Sequence, residues 1–254
     1  MKIRPGVELA SLTDVGCHRE KNEDSYAYWE AADDTSFSAL GRLAIVADGM
    51  GGHEGGQIAS RMAVETFPNA YAASSDPDPQ KRLLGALNEA HRRIQQRAKE
   101  DLRLSSMGTT CTAFALVNAR LYFVHVGDSR LYLLREGKLR ILTRDHTLIG
   151  RLLENGLIRP EQAHDHPQKH VLTSALGVPN NQDMEIDFSA GPLPVQKGDV
   201  LMICTDGLWG QLDSDEIEQA LGSQSPEATC RSLVQLAKDR GGPDNITLQV
   251  LRID

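Results

Sequence analysis

Three aspartates stand directly behind apolar runs: Asp48 after residues 43–47, Asp128 after the stretch that ends in Val126-Gly127, and Asp206 after residues 199–205. Asp24 and Asp244 stand beside the starts of two further apolar stretches. Strand ends lie along the common edges of a sheet, so carboxylates placed there can meet without any helical spacing between them. Such a cluster repels itself unless a cation sits within it. Aspartate and main-chain carbonyl oxygens select a hard ion, Mg²⁺ or Mn²⁺, and the lack of a Cys-x-x-Cys or paired-histidine motif points away from zinc. The segment Arg19-Glu-Lys-Asn22-Glu23-Asp24 adds an arginine for an anionic group beside two acids for a metal. Each signal also has an ordinary reading. Asp48-Gly49 is a common turn dipeptide, and residues 19–24 read equally well as a solvated charged turn. Only convergence of the acids favours a site.

The elements that must position these residues are legible from periodicity. Alternating or continuous apolar runs predict strands at residues 7–13, 25–29 and 43–47, at Cys111–Val117, Arg120–Val126 and Arg130–Arg135, at residues 138–143 and 199–205, and at Ile246–Ile253. Asn118-Ala119 and Glu136-Gly137 fit compact hairpin turns. Helical spacing covers residues 57–72, just beyond the glycines that follow Asp48, so that the helix N-terminus adds positive potential to the site. Residues 80–103 present Leu83, Leu87, Ala90, Ile94, Ala98 and Leu102 as one core-facing stripe. Short helices are expected near 149–154 and 214–221, and a longer one over 225–240 with Pro226 at its first position. The segment at about 147–172 loses β character and is read as a flap beside a site, with His164, His166 and His170 as solvated loop histidines rather than metal ligands.

The whole chain narrows the class. Its 254 residues carry a net charge of −8, which argues against nucleic acid as the main partner. The four cysteines are scattered, as reduced thiols in a cytoplasmic protein would be. The N-terminus has no apolar core like that of a signal peptide, and no run approaches membrane-spanning length, so direct membrane insertion is not expected. No linker or repeat divides residues 1–254, which read as one domain.

Taken in order, Arg19-x-x-Asn-Glu-Asp24, Asp48-Gly-Met-Gly-Gly-His53, Gly108-Thr-Thr110, Val126-Gly-Asp-Ser-Arg130, Asp145-His146, Ala175-Leu-Gly177, Cys204-Thr-Asp-Gly-Leu208 and Gly241-Gly-Pro-Asp-Asn245 resemble the metal-dependent protein phosphatases of type 2C. The Asp-Gly-Met-Gly-Gly form looks like the bacterial branch. The resemblance covers nearly the whole chain and implies an α+β fold, a four-layer α-β-β-α sandwich of two packed antiparallel sheets flanked by helices. It implies two Mn²⁺ or Mg²⁺ ions, with Asp48 bridging both, the Gly49 carbonyl on the first, and Asp206 and Asp244 on the second. Asp128 with Asp206 then holds the weaker third ion of bacterial members, Glu23 and Asp24 act through bound waters, and Arg19 clamps the substrate phosphate.

The implied activity is hydrolysis of phosphoserine and phosphothreonine in proteins by a metal-activated water, opposing a bacterial Ser/Thr protein kinase, in a monomer. Two alternatives are a catalytically silent phosphoprotein-binding scaffold of the same fold and a phosphohydrolase for small phosphoesters. Two departures stand out. Met50 occupies the position where animal members carry a histidine proposed as general acid, and nearby His53 has a structural reading at least as strong. Ser174 replaces an arginine common in bacterial relatives, which bears on flap and substrate contacts rather than on metal binding.

Overall fold

The computed structural model describes residues 3–51, 54–159, 162, 166–178 and 184–254; His53 and His164 fall outside them. The chain runs β1 (Val7–Asp14), β2 (Asp24–Glu30), α1 (Asp34–Leu40), β3 (Arg42–Met50), α2 (Gly55–Ala73), α3 (Pro79–Glu100), β4 (Gly108–Thr109), β5 (Cys111–Val117), β6 (Arg120–Val126), β7 (Arg130–Arg135) and β8 (Lys138–Ile141). It continues through α4 (Leu148–Glu154), β9 (Asp187–Phe188), β10 (Leu193–Pro194), β11 (Val200–Cys204), α5 (Asp206–Trp209), α6 (Ser214–Ser223), α7 (Pro226–Asp239) and β12 (Ile246–Ile253).

Two antiparallel sheets result, ordered β1-β12-β11-β7-β8 and β10-β6-β5-β3-β2, with β4 on β3 and β9 on β6. The expected sandwich is therefore present, and residue alternation explains its layers. Leu43, Ile45 and Ala47 of β3 pack under Phe67, Leu83, Leu87 and Ile94 of α2 and α3. Ala44 and Val46, on the opposite face, join Phe114, Leu131, Leu133, Leu201, Ile203 and Leu251 between the sheets. Met202, Cys204, Leu248 and Val250 face outward against Ile217, Leu233, Val234 and Ala237 of α6 and α7.

Both expected hairpins form. Asn118 and Ala119 have φ of 50° and 57°, and Glu136 and Gly137 have 52° and 73°, the paired left-handed residues of a turn that matches strand twist. Leu102 departs from expectation: it is 83% exposed. The helix ends at Glu100, and the Asp101 carboxylate accepts from the Arg103 amide at 3.1 Å to open a tight turn over Leu102–Leu104. That break rotates Leu102 off the helical stripe. Helix α1, which sequence periodicity does not predict, starts at Asp33, whose side chain caps the Ser36 amide at 2.9 Å.

Candidate metal centre

The acids are placed at one end of the space between the sheets. Asp48 is not beyond its strand, as its position before Gly49 suggested, but inside it, since β3 runs on to Met50. It follows Ala44 and Val46 onto the inter-sheet face, and in the ladder it stands directly opposite Asp24. Like charges facing each other across a strand pair are unfavourable, so this register is costly by itself. Three bonds fix the Asp48 main chain. Its N–H donates to Thr110 Oγ1 at 2.9 Å, and its carbonyl accepts from the Thr110 N–H at 2.9 Å and from Thr109 Oγ1 at 2.8 Å.

Gly49 is glycine for want of room. A Cβ there would lie 2.2 Å from the Gly56 carbonyl oxygen and 2.6 Å from that of Glu23, so the second strand, the end of β3 and the start of α2 can touch only with no side chain between them. Met50 lines the same cavity.

Asp206 likewise differs from expectation, because it begins a helical turn rather than a loop. Among the described residues its Oδ1 is buried without a hydrogen-bond partner, and Oδ2 lies 3.3 Å from His170 Nδ1. His170 is 64% exposed, as its polar surroundings imply, yet it reaches the site, and the Asp206 carboxylate raises its pKa. Asp244 precedes β12 and accepts from Arg19 Nη2 at 2.8 Å. The next residue, Asn245, is buried and ties the acidic loop down: its Oδ1 accepts from the Glu23 N–H at 2.8 Å, and its Nδ2 donates to the carbonyls of Val15 and Lys21.

Asp128 is 4% exposed and Asp24 8%. Burial, followed by the proximity of Asp24, Asp206, Asp128 and Asp244, drives the Asp48 pKa well above the carboxylate range. Asp128 is driven up by burial and then by Asp206 and Asp145, with Arg130 opposing. Asp24 is raised to about 7: burial outweighs the hydroxyls of Thr247 and Thr205, and Asp206 and Asp244 add to the rise. Asp24 Oδ2 accepts from Thr205 Oγ1 at 2.8 Å, while Oδ1 is buried and, among the described residues, has no partner at hydrogen-bond geometry. Burial also raises Glu23, with Arg19 opposing.

The donor set fits a divalent cation, since it offers buried carboxylate oxygens left without partners in a field of like charge. Among the described residues no three acidic, imidazole or thiol groups stand as a ready-made cage. Ligation here must therefore be completed by main-chain carbonyl and water, which suits Mg²⁺ and Mn²⁺.

Arg19, Glu23, Asp48, Gly49, Asp128, Asp206 and Asp244 line one cavity of about 1620 Å³; Asp24 lies beneath it. One wall consists of α4 with Leu172, closed at its base by the bridge between Thr147 and Leu172. The cavity is also lined by Arg130, Asp145 and Trp209, to which sequence reading gave no role, and by Ser174. Arg130 forms a two-pronged pair with Asp145 at 3.0 and 2.7 Å and stacks 3.5 Å above the Trp209 ring. Ser174 is buried, and its Oγ accepts from the Glu185 N–H at 3.0 Å, so it packs inward. Only the β7–β8 hairpin brings Arg130 to Asp145, and no local pattern in the sequence announces that contact.

Comparison with known proteins agrees with this geometry. The chain is 36% identical over 248 residues to the serine/threonine protein phosphatase PstP of Mycobacterium tuberculosis, covering 96% of this chain but 44% of the relative. It thus spans less than half of that protein. It is 35% identical over 247 residues to the serine/threonine phosphatase stp of Listeria monocytogenes, covering 95% and 94% of the two chains. A solved catalytic domain of PstP in complex with 2 manganese ions superposes with a TM-score of 0.83 at 31% identity, covering 98% of this chain and 99% of that one. The profile of the family described as Protein phosphatase 2C matches residues 18–240, and the chain therefore belongs to the protein phosphatase 2C family.

Proposed function

We propose that the protein is a Mn²⁺- or Mg²⁺-dependent serine/threonine protein phosphatase. The observation that carries the reading is the buried acid cluster, in which Asp48 and Asp128 are pushed up by burial and neighbouring acids while, among the described residues, Asp206 Oδ1 and Asp24 Oδ1 have no hydrogen-bond partner. Asp48, the Gly49 carbonyl, Asp206 and Asp244 would hold two ions, and Asp128 with Asp206 would hold a third. Divalent cations there supply positive charge to the phosphoryl oxygens and acidify a water for in-line attack on phosphorus.

The protein's own groups do the rest. Asp48 is held rigid by Thr109 and Thr110, so ligand geometry is set before substrate arrives. Arg19, half exposed at the rim and tethered to Asp244, is placed to grip a phosphoryl oxygen pair with its planar fork. Glu23 and Asp24 would act on the bound ions through waters at the edge of the cluster. Helix α4 and residues 169–172, which line one wall of the cleft, act as the described part of a flap.

The cavity favours a macromolecular substrate, because about 1620 Å³ exceeds the roughly 300–1,000 Å³ of pockets built for small ligands. The phosphorylated proteins are then those of a bacterial Ser/Thr kinase, and the enzyme works as a cytoplasmic monomer. Free thiols at Cys17, Cys111, Cys204 and Cys230 fit a reducing compartment, and among the described residues no helix is long and apolar enough to cross a membrane.

The test is phosphate release from a phosphothreonine peptide and from small phosphoesters. Release should require Mn²⁺ or Mg²⁺, stop in excess chelator, favour the peptide, and fall by about three orders of magnitude in Asp206→Asn. Activity that survives chelation sinks the reading; peptide binding without turnover in saturating Mn²⁺ supports the scaffold instead.

A further inference from the structure

Asp128 sits on the β6–β7 connection, which crosses from one sheet to the other, and such a connection does not by itself fix a carboxylate. Two contacts do so here. On one side Ser129 Oγ shares a 2.8 Å hydrogen bond with Thr110 Oγ1, the same oxygen that accepts from the Asp48 N–H. A single chain of two hydroxyls thus sets the separation of the Asp48 and Asp128 main chains. On the other side Trp209 Nε1 donates to the Asp128 carbonyl at 2.9 Å. Trp209 ends the four-residue helix α5 that Asp206 begins, so the indole spans directly from the Asp206 element to the Asp128 main chain.

The indole is itself held in place. Arg130 stacks 3.5 Å from the ring centroid, and its guanidinium is locked by the two bonds to Asp145. A ring pinned by a cation on its face has little freedom to swing its N–H away from the carbonyl. Trp209 lines the cavity beside Asp128 and Asp206 without offering an oxygen to it, which separates its role from that of a ligand.

We propose that Trp209 is a positioning residue for the cation shared by Asp128 and Asp206, its indole N–H fixing the distance between the two acids, with Thr110 and Ser129 fixing Asp128 against Asp48. The proposal rests on reading Asp128 and Asp206 as ligands of a third ion. Groups that orient ligands from behind characteristically change metal affinity about 10- to 100-fold when removed. The indole bonds the Asp128 main chain, whereas Asp48 is held by Thr109 and Thr110, so the loss is expected to fall chiefly on the ion that Asp128 holds.

The test is a calorimetric Mn²⁺ titration of metal-free wild type, Trp209→Phe and Asp128→Asn. Phenylalanine keeps an aromatic ring for Arg130 while removing the N–H along with part of the indole's volume. Trp209→Phe should weaken the weakest ion at least about tenfold and leave the two tighter ones within about twofold; unchanged affinity for the weakest ion overturns the proposal. If Asp128→Asn binds all ions as wild type does, the ligand assignment has failed, whatever Trp209 does.

A second measurement needs no change at position 209. The chain has two tryptophans, Trp29 and Trp209, so in Trp29→Phe the emission of Trp209 alone can be followed during Mg²⁺ titration. A transition at the concentration of the weakest ion, abolished by Asp128→Asn, supports the coupling. Emission that tracks only the tighter ions contradicts it.

Discussion

The two ends of the sandwich handle buried charge in opposite ways. At the end remote from the cavity, Arg42 and Glu30 are 8% and 7% exposed and lie 3.4 Å apart. Tyr28 donates to the same glutamate at 2.9 Å, and Arg42 donates to the Arg4 and Pro5 carbonyls. Asp199, 1% exposed, receives both prongs of Arg135 at 2.9 and 2.6 Å. At the cavity end, Asp24, Asp48 and Asp128 face mainly other acids, Asp206, Asp244 and Asp145 among them, against two arginines, Arg130 near Asp128 and Arg19 at the rim. A fold that pairs its buried charges so thoroughly elsewhere leaves these unpaired for binding rather than for stability.

That contrast can be broken in a definite order of effect. Arg42→Met strands Glu30 in the interior and should cost about 3–5 kcal/mol of unfolding free energy, with or without divalent cation. Asp128→Asn should do the reverse in metal-free protein, raising stability by about 1–2 kcal/mol because a neutral amide removes the cost of keeping a buried acid protonated among like groups. Denaturant midpoints measured in chelator decide both, and a destabilised Asp128→Asn would mean that the acid is a structural partner like Asp199.

Some of this difference was legible in the sequence and some was not. The strands and the two left-handed hairpins follow from period-2 alternation and turn chemistry, which act over a few residues, whereas the four-layer order comes from the family resemblance of the motifs. The acids were legible as strand-end residues, but two of them occupy different local structures from the same signal. Asp48-Gly49 is strand continuing into a loop with no room for a Cβ, whereas Asp206-Gly207 opens a helical turn. In both cases the contacts that decide come from distant residues: Glu23 and Gly56 for the first, Asn245 for the second, where a Cβ on Gly207 would lie 2.0 Å from the Asn245 carbonyl oxygen.

Arg130, Asp145 and Trp209 escaped for the same reason. Their meeting depends on a hairpin and on the packing of α5, and composition alone leaves arginine, aspartate and tryptophan at such spacings without a role. Leu102 failed in the other direction, since the stripe it extends is real but stops where Asp101 caps a new turn. His170 escaped because its loop is as polar as solvated loops are, and only the fold brings it beside Asp206.

The most direct test of the central claim, that the acid cluster is a divalent-cation centre built around Asp48, is calorimetric titration of Mn²⁺ into metal-free protein at pH 6 and pH 7.5. Asp24 holds its proton up to about 7. Its folded-state pKa lies above its unfolded one, so metal-free stability is greater below that range and falls as pH rises through about 7. Cation binding, which must displace such protons, runs the opposite way and weakens as pH drops, by up to about tenfold per unit. Wild type should therefore bind two ions tightly, more tightly at pH 7.5 than at pH 6, and Asp48→Asn should lose both. Equal binding by Asp48→Asn, or an affinity that rises on acidification, would contradict the account.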